Sequence, residues 1–207
     1  CKKRKVHMME DRPGHRMSKK LQLAFSERRI RKRIYRMYAR FRPYHLIGAI
    51  GGFLTVLTAI ISLAVSTSYY ISAEWVIIVN MLLIGSNGLI ATYFFGAFSA
   101  SRDSLIKVGS LIAGIGLGFN ILISILQMAG VYVFVLALLG ALVMMAGVVI
   151  ACIKFIMLFQ RDAFVVVFCV FIFLGLLLSL FWTWASLISG AGLGGLLIYF
   201  YVHNITY

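Results

Sequence analysis

From residue 43 onward the chain is one long apolar run, interrupted only by short polar clusters. Before it, Ile30, Ile34, Met37, Tyr38 and Phe41 recur at i, i+4, i+7, i+8 and i+11, one stripe of an α-helix set among cations. A helix crosses the hydrocarbon core of a bilayer in about 20 apolar residues. On that measure the polar clusters divide the run into six spans. The first covers 45–67 and the second 75–98, and Ser99-Ala100-Ser101-Arg102-Asp103-Ser104 follows as a break. The stretch 105–159 is too long for one helix and turns at Gln127-Met128-Ala129-Gly130, giving spans at 108–127 and 131–156. After Gln160-Arg161-Asp162, residues 163–203 hold two more, with a turn at 184–189 and Gly190 to Gly195 opening the last helix. The fold class expected is all-α: a polytopic membrane helix bundle of six transmembrane spans, or four or five if the last segment is re-entrant. A basic amphipathic interfacial helix precedes it.

Composition makes the bilayer the solvent. At 62% hydrophobic residues, a chain of 207 residues cannot hide its apolar surface in a water-soluble domain. Charge divides the chain as sharply as hydropathy does. Sixteen of the 20 Lys and Arg lie at or before Arg42, against Glu10, Asp11 and Glu27. The rest of the chain has Arg102, Lys107, Lys154 and Arg161 against Glu74, Asp103 and Asp162. Three regions result: a basic tail expected to be disordered at 1–17, an interfacial helix at 18–42, and the membrane bundle at 43–207. Ser26 can cap the interfacial helix with Glu27 in its first turn, and Pro43 ends it or turns it into the membrane. Arg28, Arg29, Arg31, Lys32, Arg33, Arg36 and Arg40 fill its polar face and are the candidate binding residues for anionic lipid, an acidic protein partner or RNA. The loops expected on the side of the arm carry Arg102, Lys107, Lys154 and Arg161, and those on the other side carry no Lys or Arg. The positive-inside rule then places both termini in the cytoplasm.

Within the membrane the informative residues are glycines and amides. Gly48/Gly52, Gly114/Gly118 and Gly190/Gly194 are spaced four apart, so each pair shares a helix face and admits a close neighbour, in the same bundle or in a partner. Ser110-Leu111-Ile112-Ala113-Gly114-Ile115-Gly116-Leu117-Gly118 and Ser186-Leu187-Ile188-Ser189-Gly190-Ala191-Gly192-Leu193-Gly194 agree at seven of nine positions. Weaker echoes join the first span to the fourth and the second to the fifth, a pattern that a 3+3 inverted repeat would produce. Asn80 and Asn87 share a face of the second span, and Asn120 and Gln127 share one on the third. Their depths allow Asn87 to meet Asn120 and Asn80 to meet Gln127 across the hairpin.

Candidate chemistry is sparse. The aspartates beyond the arm, Asp103 and Asp162, fall in separate loops, and no His-Glu-x-x-His occurs. His45 and His203 are expected at the interface, which argues against haem ligation. Cys1, Cys152 and Cys169 form no metal or disulfide pattern, and the latter two read as packing thiols that could face one another across the fourth and fifth spans. No enzyme, cofactor or metal is expected. Asn87-Gly88-Leu89-Ile90-Ala91, with Ser101-Arg102 and Leu105-Ile106-Lys107, resembles the connection between the second and third spans of the membrane-spanning four-domain family. The basic arm and the six-span count depart from that family, so no residue role is carried over. The function expected is a non-enzymatic membrane subunit or scaffold that binds lipid, other membrane subunits or a second copy. The alternative is a small transporter or channel for a neutral or apolar solute.

Overall fold

Six α-helices make up the membrane part of the computed structural model, which describes residues 42–67, 73–101, 103–131, 134–159, 162–179, 181 and 185–206. They are α1 (Arg42–Ser66), α2 (Ala73–Ala100), α3 (Ser104–Met128), α4 (Phe134–Leu158), α5 (Ala163–Ser179) and α6 (Ser186–Thr206). Five are long and apolar enough to cross a membrane, and α5, with 17 residues, is the shorter one. The chain is therefore a multi-pass helical membrane protein. The tail at 1–17 and most of the interfacial helix expected at 18–42, including all seven of its candidate cations, lie outside the described residues.

Local signals set the helix ends. α1 is described from Arg42, so Pro43 belongs to its first turn, where a missing backbone N–H is tolerated. The helix thus begins three residues before the 45–67 span that hydropathy predicts. Asp103 caps α3: its carboxylate accepts from the N–H of Leu105 at 3.0 Å and of Ile106 at 3.3 Å. α3 ends where Gly130 N–H donates to Gln127 O and Val131 N–H to Leu126 O. That Schellman turn requires the left-handed φ of +79° at Gly130. Asp162 starts α5 by accepting from Phe164 N–H at 3.1 Å.

Consecutive helices pack antiparallel and the ring closes. Gly51 lies against Ile90 and Leu89 of α2, while Gly52 lies against the backbone of Gly190 and Gly194 of α6. α2 packs on α3 and α3 on α4, α5 packs on α6, and α4–α5 is the thinnest of these seams. The start of α1, the α2–α3 and α4–α5 connections and the end of α6 share one end of the bundle, termed the basic end below for Arg42, Lys107 and Lys154. At that end the ring is filled. Tyr93 is 2% exposed, and its ring lies 5.1 Å from that of Phe94 and 5.7 Å from that of His45. Phe200 of α6 completes the cluster against His45 (5.6 Å), Phe155 (5.3 Å) and Phe159 (5.4 Å). Large apolar side chains such as Phe53, Met81, Phe134, Phe164 and Phe171 face outward, as a bilayer solvent permits.

Candidate functional site

The glycine seams bring helices to backbone contact. A methyl group on Gly52 would meet Gly194 N at 2.7 Å and Gly190 O at 3.0 Å. On Gly48 it would meet Leu197 and the Cβ of Tyr93, and on Gly190 it would meet Gly52 O and Thr55. Gly194 faces the Phe53 ring and Gly114 the Phe95 ring, whereas Gly118 has nothing within 4 Å. The α3–α4 seam rests on glycines that the four-residue spacing passed over. Gly109 and Gly116 are seven apart, as are Gly140 and Gly147, and they lie against Ala151, Met144, Phe119 and Ala113 respectively. Seven residues also return to the same helix face, so the signal was present in the sequence.

The amides separate. Asn80 is buried, and its side-chain N–H donates to Val76 O of its own helix at 2.9 Å. Asn120 turns toward α4 and donates to Met144 Sδ at 3.5 Å. Asn87 and Gln127 are half-buried. The expected Asn80–Gln127 and Asn87–Asn120 pairs are not among the described hydrogen bonds: a carbonyl one turn back was nearer for Asn80, and Gly140 opens space on α4 for Asn120. The buried hydroxyls likewise bond their own helices, Thr58 to Leu54 O at 2.7 Å, Ser86 to Leu83 O at 3.1 Å and Ser124 to Asn120 O at 3.0 Å.

A polar belt rings the basic end. Lys154 Nζ lies 2.9 Å from the Asp103 carboxylate and ties the α2–α3 connection to α4. The Lys154 ammonium holds the Asp103 carboxyl below its ordinary value, aided by the N–H groups of Ile106 and Leu105. Asp162 accepts from Tyr199 Oη and so ties the α4–α5 connection to α6. The Tyr199 ring lies tilted against that of His203, with centroids 3.9 Å apart. Arg42 lies over the Tyr201 ring, 5.0 Å from its centroid, joining α1 to α6. His203 is exposed, whereas His45 is only 7% exposed, because Tyr93 and Phe200 close over the first turn of α1. No group of three potential metal ligands occurs among the described residues. Asp103 and Asp162 each serve a different connection, so they do not form a paired-carboxylate site.

The repeat suggested by the sequence is not matched by these contacts. In an inverted repeat α3 corresponds to α6, α1 to α4 and α2 to α5. Gly114 faces α2, yet its counterpart Gly190 faces α1. Gly116 faces α4, yet its counterpart Gly192 faces Ile172 and Phe171 of α5. Equivalent residues thus meet non-equivalent helices. No family model, curated protein or solved structure matches this chain.

Proposed function

We propose that the chain is a non-enzymatic integral membrane subunit, a six-span scaffold with both termini in the cytoplasm and a basic arm that binds anionic lipid headgroups. The observation that carries this reading is how the bundle uses its polar groups. Asn80 and the buried hydroxyls of Thr58, Ser86 and Ser124 bond their own helices, and aromatic rings fill the ring of helices at the basic end. A solute pathway needs polar groups aimed at a shared interior, and these are turned back on their backbones. α5 spans as the sixth helix in this reading. At 1.5 Å per residue its 17 residues reach about 26 Å, a few ångströms short of a typical core, which local thinning accommodates.

Lipid is the partner favoured for the arm because its sixteen cations join the bundle at Arg42, at a membrane-spanning helix. The carboxylates described at the basic end, Asp103 and Asp162, already serve Lys154 and Tyr199. Asp162 keeps its charge beside the neutral Tyr199 phenol, but one carboxylate is small against the arm's sixteen cations, so in this reading lipid headgroups neutralise them. Purified protein in proteoliposomes tests the scaffold reading: passive ion and solute flux should equal that of protein-free vesicles, and saturable flux would overturn it. For the arm, replacement of Arg28, Arg29, Arg31, Lys32, Arg33, Arg36 and Arg40 by Gln should abolish binding of phosphatidylserine vesicles added in trans. Native binding should weaken steeply with salt, since exposed charges are screened over about 8 Å at physiological ionic strength. Unchanged vesicle binding, or tight binding to RNA or an acidic protein alone, would overturn the lipid assignment.

A further inference from the structure

We propose that Cys152 and Cys169 are a dithiol site that a hydroperoxide on a bilayer acyl chain converts to a disulfide across the α4–α5 seam. The positions come from the hairpin itself. Cys152 lies six residues before the end of α4 at Leu158, and Cys169 six residues after the start of α5 at Ala163. With a rise of 1.5 Å per residue, both sulfurs stand about 9 Å from the shared turn, at one level. Both turn inward: Cys152 is 8% exposed beside Ala151 and Val148, and Cys169 is 1% exposed beside Val165 and Ile172. The two thiols are direct neighbours, and the Tyr93 side chain lies next to both. Both are free thiols.

The seam allows the bond. A disulfide needs Cα atoms about 4.4–6.8 Å apart, so two helices have to draw together locally. α4 and α5 are the most thinly packed of the neighbouring pairs from α2 to α6, so they have room to adjust. The apolar surroundings and the thinly packed α4–α5 seam favour an oxidant that partitions into the membrane. Charged, water-soluble disulfides are kept out, whereas an acyl hydroperoxide arises within the hydrocarbon. One thiol attacks the peroxide: the O–O bond breaks, the sulfur is oxidised to a sulfenic acid, and the lipid leaves as an alcohol. The second thiol attacks that sulfur, the S–S bond forms, and the oxygen leaves as water with the thiol proton. Two thiols and one hydroperoxide give one disulfide, one alcohol and one water.

The test uses the full chain bearing Cys1→Ser, reconstituted in phosphatidylcholine vesicles containing a linoleoyl hydroperoxide. After acid quenching and denaturation, free thiols are counted with a polyethylene-glycol maleimide. The count should fall from two adducts per chain to none, with the loss of two hydrogen atoms in the intact mass, and a phosphine reductant should restore both adducts. Chains with Cys152→Ala or Cys169→Ala added, selected for unchanged helicity, should form no intramolecular disulfide. Oxidised glutathione in the aqueous phase should leave both adducts in place. Persistence of two adducts in the hydroperoxide vesicles would overturn the site. So would a loss that the phosphine does not reverse, or linkage between chains. Equal oxidation by glutathione disulfide would overturn the lipid-phase route.

Discussion

Gly52→Ala isolates the contribution of one backbone seam. The added methyl group would sit 2.7 Å from Gly194 N and 2.9 Å from Gly194 Cα, while ordinary contact begins at 3.4 Å, so α1 and α6 must part by about 0.7 Å. The atoms in the way are backbone, which cannot swing aside as a flexible side chain would. Such overpacking costs about 1–3 kcal/mol, set against the gain of up to about 1 kcal/mol that alanine brings to a helix interior over glycine. The expected net is destabilisation of roughly 1–2 kcal/mol by those two ranges. Thermal unfolding in one detergent, followed by circular dichroism, should therefore show a lower Tm for Gly52→Ala. Gly118→Ala and Gly88→Ala provide the controls, since a methyl group at either meets nothing within 4 Å. Those two should match or exceed the parent. If Gly52→Ala were as stable as the controls, the α1–α6 backbone approach would not be a stabilising seam and the reasoning would fail.

Acid should weaken the belt at the basic end. A carboxyl whose folded value lies below its unfolded value stabilises the fold above the unfolded value, near pH 4, and loses that contribution as pH falls through the folded one. Stability should thus drop below about pH 4 by more in the parent than in Asp103→Asn, and parallel curves would remove Lys154–Asp103 from the account. Membrane orientation is testable by labelling in sealed cells, in a background without native cysteines. Ala129→Cys in the α3–α4 turn should react from outside, and Ser104→Cys only after permeabilisation, both positions being exposed in the structure. The reverse pattern would place the termini outside. Gly140→Leu should displace Asn120 from α4, because even a methyl group there comes within 3.1 Å of its Oδ1. Loss of stability should exceed that of Gly118→Leu, and equal effects would mean that Asn120 and Met144 contribute nothing.

Hydropathy located most of the helices because polar clusters and helix breaks coincide. The last turn, expected at 184–189, falls earlier: α5 ends at Ser179 and α6 already begins at Ser186. The four residues Gln127-Met128-Ala129-Gly130 contain both the end of α3 and the glycine that its Schellman turn needs. Asp103 and Asp162 were legible as loop residues, but not their partners. Lys154 and Tyr199 reach them from helices 51 and 37 residues away in sequence, a relation that no local pattern encodes. The position of His45 near a helix end points to the interface but says nothing of its neighbours. Its burial depends on Tyr93 and Phe200, which arrive from two other helices. The amides failed for a related reason. Sharing a depth and a face fixes where an amide could reach, but a carbonyl one turn back on its own helix was nearer for Asn80, and a thioether on α4 for Asn120.

The mismatch between the sequence echoes and the glycine contacts has a geometrical cause. Six helices that alternate in direction and follow one another around a closed ring pass through both halves in the same rotational sense. In the first half, α1 leads away from the basic end, whereas in the second half α4 leads toward it. Turning the second half over about an axis in the membrane plane aligns α4 with α1 but reverses the sense of the ring, so the halves are of opposite hand. No rotation superposes them. The facing of the glycines records this: the neighbours of Gly114 and Gly116 are α2 and α4, while those of Gly190 and Gly192 are α1 and α5, the exchanged pair. The shared Ser-Leu-Ile and Gly-x-Gly-Leu-Gly pattern reflects a common need, small residues where a helix approaches two neighbours. The glycine contacts of this ring therefore do not pair the two halves as an inverted repeat would. The flux measurement on the intact bundle bears directly on the scaffold reading and need not assume any internal symmetry.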